Sequence, residues 1–145
     1  MLVACGKLCY DIPMKKRGMQ KGVILKAYSK PSSVEIRCAF TLLQYFNSAR
    51  EFIPKATIHT PDLKVTSKNQ LWEVKDIKGN SRNTIAHNLS NAKKQSENVI
   101  ITLYSTKMTP KVAIARIKAE LKHTPQIKKC LLITKEEKVV KIKKT

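Results

Sequence analysis

Residues 70–96 carry the feature that most constrains the fold: a period of two that gives way, across Gly79-Asn80-Ser81, to a helical period. Over 70–77, Leu71, Glu73, Lys75 and Ile77 alternate with Trp72, Val74 and Asp76, so the two sets lie on opposite faces of a strand. Beyond the break, Ile85, Leu89, Ala92 and Ser96 recur at helical spacing and predict a helix over 82–96. A strand turning directly into a helix makes the chain a mixed fold.

The remaining pattern extends this reading in both directions. Ser32 or Ser33 offers an N-cap, Glu35 sits in the first turn, and Val34, Cys38, Thr41/Leu42 and Tyr45 predict a helix over 33–50. Pro54 and Pro61 bracket a connector. Residues 62–66 and 70–77 read as a β-hairpin around Ser67-Lys68-Asn69. Residues 99–103 are a short β-branched run, the mark of a buried strand. Thr109 and Pro110 open a helix whose Ile114, Ile117 and Leu121 face inward, and 130–134 with 139–142 form a second hairpin. The expected architecture is α+β: one domain, 33–145, with helices packed on a mostly antiparallel sheet in the order α-ββ-α-β-α-ββ. Residues 1–32 read as a basic, loosely attached arm with a short strand at Val23-Ile24-Leu25.

Charge bounds the function. Lys and Arg number 29 against 10 Asp and Glu, a net +19 with a pI near 10.0, which favours a polyanionic partner. No apolar run approaches the roughly 18 residues needed to cross a bilayer, so no membrane role is expected. Cys5, Cys9, Cys38 and Cys130 are scattered without a paired spacing, which points to free thiols, no zinc site and a reducing compartment. The start Met1-Leu-Val-Ala-Cys5 has the look of a lipoprotein cleavage box without its preceding apolar stretch, and is read as part of the fold or the stub of a longer protein.

The chemistry concentrates where strand meets helix. Glu73 and Lys75 are neighbours on one strand face, a carboxylate and an ammonium aimed into a cleft. On the helix, Thr84, Asn88, Asn91 and Gln95 fall within a band about 60° wide beside the apolar stripe, with His87 at its margin. The helix start, with Lys78, Arg82 and Asn83 around free backbone N–H groups, suits a phosphate. Two chemistries can use these residues. In the first, metal-free ribonucleolysis, the ribose 2′-OH attacks its own phosphate; Glu73, Lys75, Thr84 and His87 supply acid, base and charge stabilisation, and no cofactor is required. In the second, Asp62 and Glu73 hold a Mg²⁺ and Lys75 orients an attacking water. The string Pro61-Asp62…Glu73-Val74-Lys75 resembles the PD-(D/E)XK pattern of restriction-type nucleases. Lys75→Ala is expected to lower turnover with little change in melting temperature. Among the other candidates, His59 could reach a cleft, whereas His123 at a helix end and Trp72 read as structural.

The strings Thr60-Pro-Asp-Leu, Trp72-Glu-Val-Lys, Gly79-Asn-Ser-Arg-Asn-Thr-Ile and Ala92-Lys-Lys-Gln-Ser-Glu-Asn-Val-Ile resemble the C-terminal tRNA-nuclease domains of contact-dependent growth inhibition toxins, of the barnase/EndoU/colicin/RelE-like superfamily. The resemblance covers 34–143 and is strongest over 79–95. It places Glu73, Lys75, Arg82, Asn83, Thr84 and Gln95 on recurring motif positions. It implies a toxin endoribonuclease that cleaves tRNA in the cytoplasm of a bacterial cell, delivered from outside within a larger protein and restrained by an acidic immunity or antitoxin protein. A non-catalytic RNA- or DNA-binding module is the reading that rests on charge alone.

Overall fold

The computed structural model describes residues 2–5, 8–11, 32–46, 50–52, 62–65 and 70–144. They form β1 (Leu2–Cys5), β2 (Leu8–Asp11), α1 (Ser33–Phe46), β3 (Arg50–Phe52), β4 (Leu63–Val65), β5 (Gln70–Asp76), α2 (Thr84–Ala92), β6 (Asn98–Thr102), α3 (Pro110–Leu121), β7 (Lys129–Ile133) and β8 (Val139–Ile142). The class is α+β, as the pattern predicts. The chain divides into two units, Met1–Leu71 and Trp72–Thr145.

In the first unit, β1 and β2 pair antiparallel, a hairpin that the sequence reading did not contain. The expected strand at 23–25 lies outside the described residues. The start of α1 is a capping box: Ser32 Oγ accepts from the Glu35 amide (3.1 Å) while the Ser32 amide donates to Glu35 Oε1 (3.4 Å). Its buried stripe is Cys38, Ala39, Leu42 and Leu43, so the expected stripe member Tyr45 turns outward, its ring edge-on to Phe46. The helix ends at Phe46 rather than at 50, because Arg50–Phe52 pairs antiparallel with β4. Sheet pairing overrides the helical spacing there.

The second unit holds the sheet β5-β6-β7-β8. Here the expectation of a mostly antiparallel sheet meets a difference. β7–β8 is antiparallel, but β5–β6 and β6–β7 are parallel. The cause is the connection: α2 carries the chain from β5 to β6 and α3 from β6 to β7, and such long crossovers return the next strand in the same direction. Strand β6 is buried along its whole length, which is why 99–101 is continuously apolar rather than alternating. Ile77, Val99, Ile101, Cys130 and Leu132 form one core with Ile85, Leu89 and Ala92 of α2 and Ala113, Ile117 and Leu121 of α3. Both helices therefore cover the same sheet face. Thr109 caps α3 by accepting from the Val112 amide (3.3 Å), with Pro110 at the first helical position, as the sequence predicts. Among the described residues, no helix is long and apolar enough to cross a membrane.

Cys38 and Cys130 are buried free thiols. Burial pushes the Cys130 thiol up to about 12. Its folded-state pKa lies above its unfolded one, so this contribution to stability is complete below pH 9 and is lost as pH rises towards 12. In the native chain Cys130 should resist a thiol reagent at pH 8 and react only when denaturant is added. Rapid labelling of Cys130 without denaturant, read by mass spectrometry of the labelled peptide, would show that the core opens.

Candidate active site

The strand register decides where Glu73 and Lys75 point. Glu73 pairs with Val99 and Lys75 with Ile101, and both partners belong to the core under α2 and α3. The two charged side chains therefore sit in the apolar row of the helix-covered face. They meet: Lys75 Nζ lies 3.0 Å from a Glu73 carboxylate oxygen, with the Glu73 side chain 2% exposed and that of Lys75 21% exposed. Removing a carboxylate from water to this degree is unfavourable unless a cation accompanies it, and Lys75 is that cation.

On the opposite strand face Trp72 is buried, as expected of a core residue. Asp76 accepts from two hydroxyls, Thr102 Oγ1 at 2.7 Å and Ser105 Oγ at 2.5 Å, which tie the carboxyl end of β5 to that of β6. The sequence reading did not single out Asp76. A carboxylate at a strand end facing Thr102 across one ladder step was the available signal.

The turn after β5 is built closely. A Cβ on Gly79 would stand 3.1 Å from Thr84 Oγ1, so the glycine lets the turn lie against the start of α2. Ser81 and Thr84 hydroxyls are 2.9 Å apart. Lys78, Arg82 and Asn83 are exposed. Asn83 is the N-cap of α2 but makes no side-chain capping bond, which leaves its amide available to a ligand.

The band on α2 makes hydrogen bonds within its own helix. Asn88 Nδ2 donates to the Thr84 carbonyl (2.8 Å), and Asn91 Nδ2 lies 3.3 Å from His87 Nε2. These polar groups are thus occupied along the helix itself. His87 and Asn91 are exposed, while Thr84 and Asn88 are half-buried. The helix ends at Ala92 rather than 96, because the amides of Gln95 and Ser96 both turn back to the Ala92 carbonyl. Gln95 consequently stands in the turn beyond the helix and leaves the band. Asp62 is buried just ahead of β4, within the first unit. His59 lies outside the described residues, and exposed His123 follows α3 with its amide on Glu120.

The family model of the contact-dependent growth inhibition CdiA C-terminal domain matches residues 59–139, more than half of the chain. The chain belongs to this family. It is a toxin domain, and domains of this family reach target cells as part of a larger protein. Glu73, Lys75 and the whole 78–95 segment fall inside the matched residues. The fold is also that of a solved structure, the CdiA-CT/CdiI toxin and immunity complex from Burkholderia pseudomallei. That likeness has a TM-score of 0.58 at 20% identity and covers 85% of this chain and 96% of that one. No curated protein matches.

Proposed function

We propose that this CdiA C-terminal domain is an endoribonuclease that acts on tRNA, with Glu73 and Lys75 as its reacting centre. The observation that carries the reading is the ion pair of buried Glu73 and half-buried Lys75 on an otherwise apolar sheet face. Apolar side chains at those two positions would hold the fold at least as well, so chemistry is the better reason for the charges.

Of the two chemistries open to the pair, we favour the metal-free route. The Lys75 ammonium 3.0 Å from Glu73 opposes a second cation there, and among the described residues no group of three or more His, Cys, Asp or Glu could hold a metal ion. A carboxylate this enclosed and locked to an ammonium is a poor base for a bulky ribose hydroxyl, so Glu73 orients Lys75 and does not itself take the proton. Lys75 stabilises the charge that gathers on the phosphate and holds the Glu73 carboxylate in place. Lys78, Arg82 and Asn83 grip a neighbouring phosphate at the start of α2. The proton transfers fall to His87, which is exposed with its ring 3.3 Å from the Asn91 side-chain amide.

Purified protein incubated with total tRNA, with and without EDTA, separates the possibilities. Cleavage should survive EDTA and be lost in His87→Ala. Cleavage that stops in EDTA and returns with added Mg²⁺ would establish the metal-assisted route. Binding without cleavage would make the domain a passive RNA-binding module.

The +19 charge supports RNA as the ligand. If about six phosphates are contacted, log K should fall with log salt at a slope between about −4 and −5, and a flat response would remove nucleic acid as the ligand. The action would take place in the cytoplasm of the target cell, where tRNA is found. Because the structural neighbour is a complex of toxin and immunity protein, an acidic immunity protein is the second partner we assign.

A further inference from the structure

We infer that Arg116 and Thr106 are positioning residues for RNA binding: together they clamp the carbonyls of Gly79, Asn80 and Ser81 and thereby set the direction of the Arg82 turn. The inference rests on the ribonuclease reading above.

Arg116, on α3, donates from one guanidinium nitrogen to two successive carbonyls, those of Asn80 at 3.1 Å and Ser81 at 3.0 Å. Thr106 Oγ1, in the loop after β6, donates to the Gly79 carbonyl at 2.7 Å and accepts from the Met108 amide at 3.1 Å. In extended chain, successive carbonyls point to opposite sides. Two that reach the same nitrogen require the chain to be curled, and the curl falls at Ser81. Peptide planarity then fixes the other side of each unit. With a trans bond, the N–H that follows a carbonyl points away from it. The amides of Ser81 and Arg82 are therefore turned away from Arg116, as the amide of Asn80 is from Thr106.

Residues 80–83 are all exposed, and among the described residues their amides donate to no protein group. Arg116 has a further effect in this arrangement. Its charge is directed at neutral carbonyls and not at a carboxylate, so it stays uncompensated behind the turn and adds to the field felt by an anion in front. Among the described residues, most Lys and Arg side chains are exposed. Arg116 instead reaches 35 and 36 residues back along the chain to hold backbone. Arginine suits this task, because its planar fork offers several donors in fixed directions.

The test is steady-state cleavage of tRNA by the wild type, Arg116→Ala, Arg82→Ala and the double variant. A residue that acts only by holding the binding turn should change uniform binding. Arg116→Ala should therefore raise KM about tenfold with kcat within about twofold of wild type. Arg116→Lys should bring KM back to within about threefold, and Thr106→Val should shift KM in the same direction as Arg116→Ala by about threefold. Because Arg116 is assigned to act through Arg82, the double variant should be no weaker than the weaker single variant. Additive losses would mean that Arg116 works independently of Arg82, and a fall in kcat together with melting temperature would make it a general support of the fold; either overturns the inference. If the wild type cleaves and Arg116→Ala is indistinguishable from it, this inference fails alone. If the wild type leaves tRNA intact, the ribonuclease reading fails and takes this inference with it.

Discussion

Replacing Glu73 with Gln and Lys75 with Met together should give a chain that melts at or above the wild-type temperature and cleaves no tRNA. The two charges lie in a row whose neighbours across the sheet are Val99 and Ile101, so near-isosteric neutral side chains keep the packing and remove the cost of keeping charge away from water. The single variant behaves differently. Lys75→Ala should lower turnover by roughly 10²–10³-fold, as expected when one charge-stabilising donor is removed. It should also destabilise the fold by about 3 kcal/mol, because it leaves a buried carboxylate without its cation. The sequence alone led to a different expectation, a nearly unchanged melting temperature, because it took the pair to line an open cleft. Calorimetry and a cleavage assay on the same three samples decide the matter. A double variant that still cleaves would make the pair a structural element; one that collapses would mean that the charges are required for folding.

A second large effect is expected from the partner. An acidic immunity protein should associate with this chain at more than about 10⁷ M⁻¹s⁻¹ in low salt, slow steeply as salt is added, and abolish cleavage at one equivalent. Stopped-flow mixing over a salt series measures the rate directly. An association rate indifferent to salt would show that the +19 charge serves the RNA alone.

How far the sequence reached depended on distance along the chain. Features written into a few consecutive residues were legible: the Ser32–Glu35 capping box, the Thr109-Pro110 helix start, and the Glu73/Lys75 juxtaposition, which needs only a period of two. Helix ends were read less well. Positions 47–50 and 93–96 keep helical spacing, but pairing of Arg50 with Val65 and a tight return to the Ala92 carbonyl decide them. The order of strands and helices in the second unit and the antiparallel β7–β8 hairpin were read correctly, whereas the parallel direction of β5–β6 and β6–β7 was not, although the α2 and α3 crossovers implied it. The polar band on α2 was placed on the right helix, but its hydrogen bonds within that helix were not foreseen. Its amides bond within a turn of their own residues, a local choice that spacing cannot distinguish from a lined groove. The contacts that brace the 79–83 turn were invisible, since Thr106 and Arg116 lie 27 to 36 residues from the carbonyls they hold and nothing local marks them.

The action proposed for this toxin is cleavage of tRNA at the Glu73/Lys75 pair. Its most direct test is the RNA of bacteria induced to express this chain without an immunity protein. Growth should stop within a few generations, and gel analysis should show shortened tRNA beside intact ribosomal RNA. Cells that express Glu73→Gln/Lys75→Met to the same level should grow normally with full-length tRNA. Growth arrest with intact tRNA, or unimpaired growth of cells that accumulate the soluble wild-type chain, would contradict it.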